Sequence, residues 1–190
     1  MLKAGIDLDG VLGNVSYSII NYINGIYWTD FTEKDITHYH IYDWFPKMNK
    51  AQTRAMFKNP GFYLNMPPLK KAVESINKLK DDGWWIDIVT ARDFSCLTVT
   101  VDWLRDEGIP FDRLSFADSD KKVHYAEDEK FDFFVEDNPN TVNQLSEVVP
   151  LVYLVDAPYN KNVNDGVLRV KDLEIMLEDL KRKNLYGTAI

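Results

Sequence analysis

The chain has 190 residues, 45% of them hydrophobic and 27% charged, with a formal net charge of −8. That length supports one substantial hydrophobic core with a small appendage, and the composition excludes an intrinsically disordered chain. The acidic balance argues against the basic stripe that grips a nucleic-acid polymer, but not against a small phosphorylated substrate, because a divalent cation inverts the field of an acidic pocket.

The one cysteine, Cys96, leaves no internal disulfide and fits a reducing compartment. The first residues turn acidic too soon for a signal peptide, and no apolar run approaches the roughly 20 residues of a membrane span. A cytoplasmic protein without a membrane partner is expected.

In chain order, Ala4 to Leu8 reads as a short buried strand that breaks at Asp9-Gly10, and Val15 to Ile26 carries apolar residues at helical spacing. From Tyr27 to Met66 the composition turns aromatic, with little alternation, and ends at Pro67-Pro68. Residues 15–66 therefore read as a mostly helical cap, and residues 1–14 with 67–190 as the catalytic core. Most of the aromatics, Trp28 included, are needed for the cap's own small core.

After the prolines, helix and strand alternate. Helices are expected at Leu69 to Lys80 (stopped by Gly83), Ser95 to Glu107, Lys121 to Glu129, Thr141 to Val148 and Asp172 to Lys183. Strands are expected at Trp84 to Val89, Arg113 to Ala117, Phe131 to Val135 and Leu151 to Val155. This alternation predicts an α/β fold with a doubly wound, mainly parallel sheet, and hence a site at the carboxyl ends of the strands.

Polar residues collect at those ends. The first strand runs into Asp7-Leu8-Asp9, the second into Thr90-Ala91-Arg92-Asp93, and the strand from Phe131 into Glu136-Asp137-Asn138, while the loop after Ala117 leads to Lys121-Lys122. Acids that directly follow buried apolar strands need partners or a metal. Phosphoryl transfer uses such a set. Asp7 would attack phosphorus, and Asp9 would protonate the leaving oxygen and later deprotonate water. A hard cation would sit between Asp7, the Asp9 carbonyl and Asp137, supported by Glu136. Thr90 and the Ala91 N–H would bind phosphoryl oxygens, and a lysine would neutralise developing charge.

These residues resemble the haloacid dehalogenase-like phosphohydrolase superfamily. Its four motifs appear in order: Ile6-Asp7-Leu8-Asp9-Gly10-Val11, Ile88-Val89-Thr90-Ala91-Arg92, a lysine, and Phe134-Val135-Glu136-Asp137-Asn138-Pro139. The resemblance implies a Rossmann-like core, Mg²⁺ as cofactor, Asp7 as nucleophile, Asp9 as acid/base, Thr90 as phosphate ligand and Asp137 as metal ligand. It favours Lys122 for the lysine because Ala126 then falls in register, with Lys121 as competitor. Asp9 points away from carbon–halogen chemistry. The Gly10-Val11-Leu12 continuation, Thr90-Ala91-Arg92, the aromatic cap and the late Pro158-Tyr159-Asn160 look like the 5'(3')-deoxyribonucleotidase group and its bacterial and phage relatives. That implies a nucleoside monophosphate as substrate. Gly13-Asn14 and the Glu136-Asp137 pair depart from the usual pattern.

Several residues keep two readings. Arg92 either contacts substrate or pairs with Asp93 or Asp118. Trp44 and Tyr42 are the cap residues expected to stack on a base. His38 and His40 lack further ligands around them and are expected to be polar cap residues, and Cys96 a buried helix residue. A phosphatase of sugar phosphates and a non-catalytic phosphate-binding module are the rival functions.

Overall fold

Short strands build the sheet, buried at its centre and more open at its edges: β1 (Lys3–Ile6), β2 (Trp85–Thr90), β3 (Arg113–Phe116), β4 (Phe133–Glu136), β5 (Val152–Val155) and β6 (Leu168–Val170). The buried apolar runs of β2, β4 and β5 suit strands covered on both faces. The computed structural model describes residues 1–161, 163, 167–183 and 185. Among them the strands form one sheet in the order β3-β2-β1-β4-β5-β6, every neighbouring pair parallel. From β1 the chain winds outward through β2 and β3, then returns to β4 and winds the other way. The order reverses between β1 and β4, which is where such sheets place their ligands.

Four helices lie in the crossovers, α4 (Ala72–Asp81), α5 (Leu97–Asp106), α6 (Ser119–Glu129) and α7 (Pro139–Leu145), and α8 (Leu173–Arg182) follows the last strand. They match the expected alternation within a few residues. Gly83, with φ +81, follows α4 as the expected stop. Strand β6 was not expected: three residues are too few to show alternation, and Leu168 and Arg169 are exposed. It forms because β5 offers it a free edge.

The stretch before α4 holds α1 (Val15–Tyr27), α2 (Ile41–Trp44), α3 (Lys50–Phe57) and 3₁₀ turns at Glu33–Asp35 and Pro60–Tyr63. It is less helical than expected, and irregular backbone joins the pieces. Its entering and leaving chains meet: Asn14 N–H donates to Pro67 O at 2.8 Å and Leu69 N–H to Leu12 O at 2.7 Å. Its aromatics mostly pack on each other, as in Tyr27–Phe45 (5.0 Å between ring centres) and Phe31–Phe45 (5.6 Å). Trp28 departs from this. It caps α1 in the left-handed conformation and is 93% exposed. One apolar core runs without a break from β1 and β2 into Ile41, Phe45, Met56 and Phe62.

Candidate active site

The carboxyl ends of β1 and β4 carry Asp7, Glu136 and Asp137, all buried, with one carboxylate oxygen from each lying within 4.8 Å of the others. Lys122, in the first turns of α6, reaches into this group. Its ammonium donates to Asp7 Oδ1 at 2.7 Å and to Glu136 Oε2 at 2.8 Å. Lysine is disfavoured by the dipole at a helix N-terminus; here two buried acids hold it. Lys122 and Ala126, one turn apart, form the buried stripe of α6. Lys121 points to solvent and pairs with Asp118.

Electrostatics follow from this burial. Burial, joined by the charge of Glu136, pushes Asp7 up to about 7 against the pull of Lys122. Burial and the charges of Glu136 and Asp7 also raise Asp137 well above the usual carboxylate range. Burial alone would lower Lys122, but Asp7 and Glu136 outweigh it and hold the ammonium above its ordinary value. Glu136 accepts three hydrogen bonds: its Oε1 takes the N–H groups of Asp137 (3.2 Å) and Asn138 (3.0 Å), and Oε2 takes Lys122. Charge does not balance within the cluster. Fully ionised, the three buried acids would face one lysine with a surplus of 3 − 1 = 2 negative charges, which bound protons or a cation must offset. A hard divalent cation fits that surplus and that donor set.

Asp9 lies just past β1. Arg92 takes both its oxygens, Nε to Oδ2 at 2.9 Å and Nη2 to Oδ1 at 2.7 Å. The guanidinium stacks 3.7 Å over the ring of Tyr63 and donates to Thr100 Oγ1 at 3.0 Å. This corrects the expected partners of Arg92: its ion pair is with Asp9, not Asp93 or Asp118, and its remaining donor bonds go to Thr100 and Met66. Thr90 is fully buried at the end of β2, and its hydroxyl accepts the Arg92 N–H at 3.2 Å. Ala91 and Asp93 line the cavity beside it.

Above these groups is a cavity of about 270 Å³, with Asp7, Asp9, Lys122 and Asp137 at its floor and Tyr39, His40, Ile41, Phe57 and Tyr63 in its walls. Trp44 and Tyr42, the expected base-stacking residues, are not in its walls. Trp44 packs edge-on against Phe31 at 5.8 Å, and Tyr42 stacks on His40 at 5.0 Å. Composition shows how many aromatics the insertion holds, but not which of them turn inward. Lys58 closes one side through an ion pair with Asp93 at 2.7 Å. On the other side the Tyr39 ring meets Tyr159 edge-on at 5.8 Å. Cys96 is buried, as expected. Tyr39, Tyr63 and Tyr159 were not singled out from the sequence; the Pro158-Tyr159-Asn160 motif was the available signal for the last.

A sequence model of the family described as 5' nucleotidase, deoxy (pyrimidine), cytosolic type C protein matches residues 1–181. A nucleotidase of Clostridium acetobutylicum is 30% identical over 170 residues, covering 88% of each chain. An Acanthamoeba polyphaga mimivirus protein, named provisionally as a 5'(3')-deoxyribonucleotidase, is 27% identical over 73% of this chain and 64% of its own. Among solved structures, a haloacid dehalogenase-like hydrolase from Streptococcus pneumoniae aligns with a TM-score of 0.63 at 14% identity, covering 94% of this chain and 98% of its own. The D,D-heptose 1,7-bisphosphate phosphatase of B. bronchiseptica aligns with a TM-score of 0.57 at 13% identity, covering 96% and 99%. Those two likenesses show the fold. The family match over residues 1–181 and the 30% identical nucleotidase make the chain a member of the 5' nucleotidase, deoxy (pyrimidine), cytosolic type C family, a phosphatase built on the haloacid dehalogenase-like fold.

Proposed function

We propose that the protein hydrolyses nucleoside monophosphates, 5' or 3', through an aspartyl-phosphate on Asp7, with Mg²⁺ held by Asp7, the Asp9 carbonyl and Asp137. The observation that carries this reading is the cluster of three buried acids around one lysine at the floor of an aromatic-walled cavity. A bound Mg²⁺ supplies charge neutralisation at the phosphoryl group.

The chain's own residues account for the rest. The Asp7 carboxylate attacks phosphorus as the bond to the leaving oxygen breaks, and Asp9 gives that oxygen its proton. Asp9 then takes a proton from the water that attacks phosphorus, releasing phosphate and restoring Asp7. Lys122 holds Asp7 in place and balances charge on the phosphoryl oxygens, with the Ala91 N–H as a further donor. Thr90 fixes the turn that presents that N–H. Residues 15–66 act as a cap that excludes bulk water and selects the leaving group. The described residues contain no helix long and apolar enough to cross a membrane.

A panel of nucleoside monophosphates and sugar phosphates, assayed with Mg²⁺ and with EDTA, tests the proposal. Nucleotide turnover abolished by EDTA and by Asp7→Asn is expected. Turnover confined to sugar phosphates would overturn the substrate reading, and turnover indifferent to Asp7→Asn would overturn the mechanism.

A further inference from the structure

The Pro158-Tyr159-Asn160 turn after β5 has no role in the chemistry above, yet it is built around Asp137. The Tyr159 hydroxyl donates to Asp137 Oδ2. The Asn160 amide donates to Asp137 O at 2.8 Å and to Val155 O at 2.8 Å, tying the end of β4 to the end of β5. Asn160 is 1% exposed and is itself fixed: its Oδ1 accepts the Ala157 N–H at 3.0 Å and Arg169 Nη1 at 2.9 Å, and its carbonyl accepts Arg169 Nη2 at 2.8 Å. Arg169 lies on β6, so the edge strand absent from the sequence reading is what anchors the turn.

From the opposite side Gly10 packs onto the same pair. A Cβ there would lie 2.1 Å from Asp137 Oδ2 and 2.9 Å from the Tyr159 hydroxyl oxygen. The Tyr39 ring covers Tyr159 from the cavity side. Asp137 is thus held by its carboxylate and by its backbone at once, with one carboxylate oxygen committed to Tyr159. A carboxylate constrained in this way loses little rotamer freedom when it binds metal, and hydrogen bonds to ligating carboxylates commonly govern metal affinity.

We infer that Tyr159 and Asn160 are positioning residues for the cation, acting through Asp137: Tyr159 fixes the carboxylate rotamer and Asn160 fixes the backbone that carries it. The inference rests on the proposal that Asp7 and Asp137 hold Mg²⁺.

Calorimetric titration of Mg²⁺ into wild type, Tyr159→Phe and Asn160→Ser, with melting temperatures taken in EDTA, tests it. Tyr159→Phe removes one hydroxyl and keeps the ring contact with Tyr39. It is expected to bind Mg²⁺ about 10-fold more weakly, with its melting temperature in EDTA little changed. Asn160→Ser is expected to weaken binding in the same direction and decides the matter if Tyr159→Phe does not fold. A merely structural role would lower the melting temperature and leave the affinity of the folded protein alone; that result overturns the inference. Wild type that binds no Mg²⁺ would overturn the metal reading and this inference with it. Wild type that binds, alongside an unaffected Tyr159→Phe, overturns only the inference.

Discussion

Arg92 holds Asp9 by two parallel hydrogen bonds, 2.9 Å from Nε and 2.7 Å from Nη2, and its own side chain is completely buried. A fork of this kind fixes a carboxylate in orientation as well as position. Arg92→Lys keeps the charge and loses the fork. Steady-state kinetics should show kcat on nucleotides falling roughly 10- to 100-fold, on the scale of a displaced catalytic group. The loss on p-nitrophenyl phosphate should be smaller, since its leaving group needs little protonation. Equal losses on both would place the effect outside proton transfer.

Lys122 separates two buried acids, Asp7 and Glu136. Lys122→Met leaves the two carboxylates facing each other without a cation between them. Denaturant unfolding should show a loss of about 3–5 kcal/mol, and kcat should fall on the order of 10²–10³-fold. Adding Glu136→Gln should recover much of the stability and none of the activity.

Asp7 sits at about 7 in the folded protein against 3.8 for the free side chain, so between those values the folded state holds a proton that the unfolded state releases. That contribution to stability is present below pH 4 and is lost as pH rises toward 7. Asp137 shifts in the same direction. Carboxyls lowered by partners, such as Glu129 beside Arg113, titrate below this window. In EDTA the melting temperature should therefore fall from pH 5 to pH 8. The gain on adding Mg²⁺ should grow over the same range, because the cation competes with the proton for the same oxygens. Calorimetry at four pH values checks both trends; a flat Mg²⁺ gain counts against Asp7 as a ligand.

Gly10 has φ +85 and faces Asp137 directly. Gly10→Ala should cost about 1–2 kcal/mol from the left-handed backbone and should displace Asp137, weakening Mg²⁺ binding. Thermal melts with and without Mg²⁺ read the two effects separately.

Trp44 belongs to the insertion's packing, against Phe31 and Phe45. Trp44→Ala should destabilise the protein by about 3 kcal/mol, the low end for a large aromatic, because the residue is only half-buried. Residual activity should fall equally on nucleotides and p-nitrophenyl phosphate. A loss selective for nucleotides would put Trp44 back against the base.

The sequence by itself determined the parallel α/β core and which strand ends converge at the site. Apolar runs end in Asp7, Thr90 and Glu136-Asp137, and in a parallel sheet strand ends must share an edge, so sequence order translates directly into spatial proximity. Lys122 was legible for a similar reason, since its register with Ala126 places it on the buried side of α6.

Tertiary structure alone decided what lies one contact further out. Arg92 meets Asp9 across 83 positions of chain, and Arg169 reaches Asn160 from a strand too short to show a pattern. The cavity walls belong to Tyr39, Phe57 and Tyr63 rather than to Trp44 and Tyr42. An aromatic ring gains similar free energy by burial against other aromatics or beside a cavity. Composition therefore counts the rings, and only the packed backbone chooses which of them face the substrate.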